Sequence, residues 1–326
     1  MHASPKLGTA DQKPMMRSNS TDIAVVMPTL NAAGRLREAL ASLAAQQVEF
    51  EAILIDGGSR DETIAIAAAQ PGLRVVLAPG TSIYEALNCG IAETRAPAIV
   101  MLNADDLLLP GALAAWRDAL ASAPAAGMAR GQAIFVALDD TGATAPFERA
   151  NARTAGPLTI DVLLRGPCAI NALCIRRSEF DRIGPFDTKY RLAADRDWML
   201  RAFSAGSRIA EFDRPVYRYL AHAGSSTFDR ARRNYVRIRV EHLDIAARNL
   251  SKVNPGNPLL ARALRRWHAA ETGMLAWRQA RGFEVNRLAS TLAHATRLDA
   301  SWPLALAGET TRWLIRRLQE WQAWRY

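Results

Sequence analysis

The chain has 326 residues, 49% of them hydrophobic and 22% charged, and no apolar run of the roughly 18 residues that a membrane-spanning helix needs. That composition excludes wholesale disorder and leaves room for one large domain or two smaller ones. Three cysteines, Cys89, Cys168 and Cys174, form no CxxC pair, so a disulfide framework is excluded and a reducing compartment fits best. The net charge of +9 is unevenly placed: residues 230–326 hold 18 Lys and Arg against 7 Asp and Glu, the rest 23 against 25. A nearly neutral body with a basic C-terminal third implies contact with anions, nucleic acid or anionic lipid, unless the charge is simply a solvated helical face. Residues 1–21 lack the apolar stretch of a secretory signal and read as a polar, disordered tail.

Residues 23–28 (IAVVMP) are short, apolar and β-branched, which predicts a buried strand. Leu36, Leu40 and Leu43 then repeat at helical spacing from Asn31, an N-cap candidate, to Gln46. Strands at 51–55, 73–77 and 98–102 alternate with helices at 61–69 and 84–95. This βαβαβαβ order predicts an α/β fold with a mainly parallel sheet and right-handed crossovers. Further along, the pattern predicts a helix at 110–126, a strand at 132–138, turns through 139–157 and a helix at 158–165. A strand at 168–176, a turn at Gly184-Pro185, a helix at 192–205 and a strand near 207–212 follow. From about 228 the pattern is helical, broken near Asn254-Pro255-Gly256 and Trp302-Pro303.

Ligands of such sheets sit beyond the carboxyl ends of the strands. That rule selects Pro28 to Asn31, Asp56 to Ser59 and Asn103 to Asp106 as the lining of one crevice. Adjacent carboxylates Asp105 and Asp106 at a strand end either face water and cap a turn before Pro110, or supply hard oxygens for Mg²⁺ or Mn²⁺. Asp195 and Asp197 open the 192–205 helix, where acidic residues also complement the helix dipole. Residues two apart do not share a helical face, so at most one of them points into a site. His222 lies in a loop-like segment, AHAGSST. No GxGxxG, P-loop, zinc cluster or GxSxG elbow is present, which excludes the chemistries those motifs serve.

Taken together, Pro28-Thr29-Leu30-Asn31, Asp56-Gly57-Gly58-Ser59-Arg60-Asp61-Glu62-Thr63 and Leu102-Asn103-Ala104-Asp105-Asp106 resemble the inverting GT-A glycosyltransferases of family 2. The segments Ser82–Ile91, Gly184–Asp187 and Ala194–Arg201 resemble later motifs of a bacterial subgroup that builds O-antigen and exopolysaccharide. The resemblance spans residues 22–225. It implies a GT-A nucleotide-diphospho-sugar transferase fold that takes a nucleotide-sugar donor, a UDP-sugar foremost, and a growing glycan or polyprenyl-diphosphate-linked acceptor. By position it implies that Pro28, Thr29, Asn31, Asp56 and Ser59 hold the nucleotide, with Asn88 near it or its phosphates. Asn103-Ala104-Asp105-Asp106 stands where the family has its DxD-type motif, which implies donor binding for Asn103, a divalent metal at Asp106, ribose or metal at Asp105, and metal or diphosphate at His222, while Asp195 falls at the catalytic base. The sequence departs from the family pattern at Asn103, at Leu30 and at Ile170-Asn171. A catalytically silent scaffold of a polysaccharide assembly complex and a sugar nucleotidyltransferase are the alternatives.

Residues 309–326 place Trp313, Leu314, Leu318, Trp321 and Trp324 on one arc of a helical wheel and Arg312 and Arg316 mostly on the other side. That pattern fits either an interfacial helix on an anionic inner-membrane surface or a helix packed on the body. No nucleic-acid-binding module is recognisable. The expected organisation is thus a tail at 1–21, a GT-A domain at 22–225 and a basic helical region at 226–326, cytoplasmic and peripheral to the inner face of the membrane.

Overall fold

The computed structural model describes residues 21–138, 143–146, 151, 156–166, 170–222, 234–254 and 256–308. The expectations for the N-terminal tail, for Cys168 and for the 309–326 helix lie outside these residues. The chain divides into two compact units: Met1–Gly131 with Asn171–Ser178 and Ile209–Arg218, and Gln132–Ile170 with Glu179–Arg208 and Tyr219–Tyr326. No described helix is long and apolar enough to cross a membrane.

In the first unit β1 (Ile23–Thr29), α1 (Ala33–Ala44), β2 (Glu51–Asp56), α2 (Thr63–Ala68), β3 (Leu73–Leu77), α3 (Ile83–Glu93) and β4 (Ala98–Met101) follow the alternation read from the sequence. β1 and β2 are buried along their whole length; each is paired on both edges, and α3 packs against both. Strands β3, β2, β1 and β4 lie in that order and all pair in parallel. The order reverses between β1 and β4, where a doubly wound sheet opens its ligand crevice. β1 runs through Pro28 to Thr29 rather than ending at the proline. Pro28 lies past Val26, the last residue paired with β4, so its missing N–H breaks no bond of that ladder.

The short β5 (Leu107–Leu108) and α4 (Ala112–Ser122) come next, then β6 (Met128–Leu138) and β7 (Thr144–Pro146), a strand inside the segment expected to be turns. α5 (Ile160–Arg165), β8 (Leu173–Arg176), α6 (Arg177–Ile183), α7 (Ala194–Ser204) and β9 (Ile209–Ala221) complete the pattern. The sheet continues from β4 through β8, β6 and β9 to β5, and the β4–β8, β8–β6, β6–β7 and β5–β9 pairings are antiparallel. An antiparallel extension therefore joins the expected parallel half. β9 is longer than the 207–212 expected, because Val216-Tyr217-Arg218-Tyr219 continues the strand instead of leaving it.

α3 lies directly on the parallel half. A Cβ on Gly90 would stand 2.3 Å from Val26 Cγ1 and 3.1 Å from Ile55 Cγ1, so only glycine lets the helix approach β1 and β2 this closely. Its N-terminus is fixed by a capping box: the Ser82 amide donates to Glu85 Oε2 at 2.7 Å, and the Glu85 amide donates to Ser82 Oγ.

The second unit is mainly helical, with α8 (Tyr235–Leu250), α9 (Pro258–Arg281) and α10 (Val285–Leu298). α9 ends at Gly282 and Phe283, the latter at φ 55°, a break that sequence spacing did not mark. The break expected near Trp302-Pro303 falls at residues 299–301, and Pro303 sits in the first turn of the helical stretch 302–308 that follows, where its missing N–H costs nothing. Between α8 and α9, Glu271 is buried and accepts from Trp267 Nε1 at 3.2 Å, contacts His242 Nδ1 at 3.0 Å and pairs with the Arg239 guanidinium. Burial opposes ionisation of Glu271, but His242 and Arg239 outweigh it and hold the carboxyl down at about 2; burial also pushes His242 down. A carboxyl lowered on folding stabilises the protein above its unfolded pKa, and that contribution is lost as pH falls from about 4.5 through about 2. Thermal denaturation should therefore show an acid-labile component in this window that Glu271→Gln removes; an unchanged acid slope in the variant would refute it.

Candidate active site

The loops after β1 and β2 are stitched together by the side chains of the DGGSRDET segment. Asp56, wholly buried, accepts from the Gly58 amide at 2.9 Å and the Ser59 amide at 2.7 Å on Oδ1. Its Oδ2 accepts from Ser59 Oγ at 2.5 Å and Thr29 Oγ1 at 3.2 Å. Ser59 Oγ in turn accepts from the Asn31 amide at 2.8 Å, Thr63 Oγ1 from the Ala32 amide at 2.7 Å and Asp61 Oδ2 from the Ala33 amide at 3.1 Å. The backbone leading into α1, and the helix's first amide at Ala33, are thus held from the neighbouring loop. Asn31 is not the N-cap: that position is Ala32, which makes no side-chain cap. Asn31 takes φ 50°, a conformation asparagine tolerates, and its Oδ1 accepts from the Arg60 amide at 2.9 Å. The Thr63 hydroxyl on Asp61 outweighs burial and holds that carboxyl below its ordinary value.

Beyond β4, Asp106 is buried and Asp105 half-buried. Asp106 Oδ2 accepts from Tyr217 Oη at 2.7 Å and from Asn103 Nδ2 at 2.9 Å. Tyr217 Oη also accepts from the Asn103 amide at 3.3 Å and from Asn171 Nδ2 at 3.1 Å. Burial, then the Asp106 charge, pushes the Tyr217 phenol far above its ordinary value, so it stays a donor to the carboxylate. Two of the three departures noted in the sequence acquire a use here. At Asn103 an amide donates to Asp106 where a carboxylate would repel it, and Asn171 holds the tyrosine. Tyr217 was not singled out from sequence, because the strand that turns it inward was expected to end at 212.

Among the described residues no three His, Cys, Asp or Glu side chains gather into a metal-holding group. The donor chemistry of Asp105 and Asp106 nonetheless suits Mg²⁺ or Mn²⁺, which take one or two carboxylates and complete their shells with water and phosphate oxygens. Topology places Thr29, Asp56 and the Asn103–Asp106 segment at the same, carboxyl edge of the parallel strands. Pro28 is enclosed within β1, and Asn88 is half-buried on α3.

In the second unit the Gly184–Asp187 turn and α7 form one packed body. Trp198 Nε1 donates to the Gly184 carbonyl at 2.8 Å, and its ring lies 4.9 Å from Phe180 and 6.1 Å from Phe186. Gly184 takes φ 87° at the turn. Asp197 is wholly buried, accepts from Arg201 Nε at 2.9 Å and pairs with the Arg248 guanidinium, which also reaches Asp187 at 2.8 Å. Buried Arg196 donates to the carbonyls of Leu163 and Gly166 at the end of α5. Asp195 differs from these neighbours: it is half-buried, and its Oδ1 accepts from the Arg196 amide at 2.8 Å. Of the acidic pair, of which at most one was expected to point into a site, Asp197 is the member held in a buried ion-pair network. His222 is half-buried directly after β9.

A family model described as Glycosyl transferase family 2 matches residues 24–177. The "PGL/p-HBAD biosynthesis glycosyltransferase" of Mycobacterium tuberculosis is 33% identical over 196 residues, 58% of this chain and 72% of that protein. The "Succinoglycan biosynthesis protein ExoU" of Rhizobium meliloti is 35% identical over 104 residues, 30% of each chain. Among solved structures, residues 1–349 of S. aureus TarS superpose with a TM-score of 0.63 at 16% identity, covering 87% of this chain and 86% of that one. The mannosyltransferase PcManGT from Pyrobaculum calidifontis, in complex with GDP-Man and Mn²⁺, gives 0.55 at 19% identity, covering 95% and 84%. At these identities the two structures speak to the fold alone.

Proposed function

The chain belongs to glycosyl transferase family 2 and is a glycosyltransferase of glycan biosynthesis, and on that premise we propose that it transfers a sugar with inversion from a nucleotide-sugar donor to a hydroxyl of a lipid-linked or growing surface glycan. The observation that carries the donor side is Asp106, held by Tyr217 and Asn103 beside Asp105 at the carboxyl end of β4. Asp105 and Asp106 are assigned to a divalent ion, Mg²⁺ or Mn²⁺, with His222 as a further ligand; when bound, that ion neutralises charge on the diphosphate. The stitched loops carrying Thr29, Asn31, Asp56 and Ser59 form the wall for the nucleotide, and Asn88 faces it from α3. A UDP-sugar is the first choice of donor. A TarS structure in complex with UDP-GlcNAc and the PcManGT complex with GDP-Man and Mn²⁺ support a nucleotide-sugar donor and a divalent ion.

Asp195 is assigned as the base. A bond forms between the acceptor oxygen and the anomeric carbon as the bond to the diphosphate breaks, and the acceptor proton passes to the carboxylate. The basic C-terminal region is assigned to an anionic inner-membrane surface, at about 1 kcal/mol per basic residue near the lipid.

A thermal-shift panel of UDP, GDP, CMP and dTDP, each with and without Mn²⁺, tests the donor side. One nucleotide at 100 times its dissociation constant should stabilise the protein by about 2.7 kcal/mol. That shift is expected to need Mn²⁺ and to vanish in Asp106→Asn. A shift retained in the variant, or one indifferent to metal, would overturn the assignment.

A further inference from the structure

We propose that Glu241, on α8, is a positioning residue for Asp195; the inference rests on Asp195 being the base. Glu241 is buried, and its carboxylate accepts three successive backbone N–H groups. Arg191 donates to Oε1 at 3.1 Å, and Leu192 and Ala193 donate to Oε2 at 2.8 and 3.0 Å. These residues lead directly into α7, whose second residue is Asp195, and the N-cap Ala193 has no side chain able to cap the helix. The acceptor that a serine or aspartate would supply locally comes instead from a residue about 50 positions later. Arg237 Nε, 3.4 Å from Oε1, supplies the opposite charge.

Glu241 does not act alone on its face of α8. Three and seven residues on, Asp244 accepts from Tyr190 Oη at 2.6 Å and pairs with Lys189 at 2.8 Å, and Arg248 reaches Asp187 and Asp197. One face of a C-terminal helix therefore grips the segment from Asp187 to Asp197. Within it, Glu241 is the contact that sets the backbone of residues 191–193, and with it the direction in which the first turn of α7 presents the Asp195 carboxylate. Misplacing a reacting group by about 1 Å costs on the order of 10²-fold in rate. Glu241→Gln keeps the shape but turns an NH₂ group toward N–H donors, which releases at least one of them. The groups assigned to the donor lie on other elements, so the loss falls on the chemical step.

The test uses the full-length protein, with release of nucleoside diphosphate from UDP-glucose, UDP-galactose, UDP-N-acetylglucosamine and GDP-mannose as the assay and amide hydrogen exchange as a substrate-independent readout. Glu241→Gln is expected to lower kcat by about 10- to 100-fold, with the donor KM unchanged within about twofold and faster exchange at residues 191–196. Glu241→Asp, which keeps the charge, is expected to recover part of kcat. Unchanged exchange at 191–196 overturns the inference. So does faster exchange with wild-type kcat, or a loss in Glu241→Asp equal to that in Glu241→Gln. Asp195→Asn separates the two ideas: if it is inactive while Glu241→Gln is fully active, positioning alone fails; if it turns over like the wild type, the base assignment fails first and positioning with it.

Discussion

Asp195→Asn is expected to lower turnover by about 10²- to 10⁴-fold, the range a general base contributes, while lowering the melting temperature far less than Asp197→Asn does. The carboxylate is half-buried and takes the Arg196 amide, a bond an asparagine oxygen also accepts. Asp197→Asn, two residues away, should do the opposite. Asp197 is wholly buried between Arg201 and Arg248, and neutralising it leaves two guanidinium groups facing an amide. Breaking a buried pair costs about 3–5 kcal/mol; here about 3 is expected, because both arginines keep some contact with solvent. Activity per folded molecule should survive, and thermal denaturation beside initial rates separates the two effects. If Asp195→Asn loses stability in step with activity, its role is structural.

Gly90→Ala is expected to destabilise the first unit by about 3 kcal/mol, the upper part of the usual overpacking range. The added methyl meets the Val26 Cγ1 of a buried central strand at 2.3 Å, and neither β1 nor β2 can retreat, because each is paired on both sides. The helix must move instead, carrying Asn88 and the capping box with it. Thermal denaturation should show a fall of several degrees, and nucleotide-dependent stabilisation should shrink in the same variant. A variant that melts within a degree of the wild type would show that α3 shifts without cost.

The parallel half was legible because its signals are local. Strands of four to seven residues with apolar β-branched runs alternate with helices whose buried residues, such as Leu36, Ala39, Leu40 and Leu43, recur at helical spacing. The antiparallel half was not, since the inward turn of Tyr217 depends on a strand whose pattern is half-exposed and whose partners, Asp106 and Asn171 among them, are distant in sequence. The DGGSRDET segment was legible as a site but not in its division of labour. Asp61 caps the first amide of α1 across space while Ser59 and Thr63 hold the two amides before it, and no local pattern announces a cap borrowed from another loop. Asp195 and Asp197 were separable in principle by helical geometry, but which of them is structural depends on Arg248, some fifty residues later.

The long reach between β4 and β8 also bears on how the chain is made. β3, β2, β1 and β4 lie within the first 101 residues, so the parallel half can close early in synthesis. β4 then carries one open edge until β8, which begins at Leu173, has left the ribosome. At roughly 5–20 residues per second that is an interval of several seconds in which a buried-type, apolar strand (AIVM) offers unpaired amides and carbonyls to any neighbour. Slowed translation between residues 101 and 173 would lengthen the exposure and favour aggregation of nascent chains, whereas a pause after β8 has emerged from the ribosome would not.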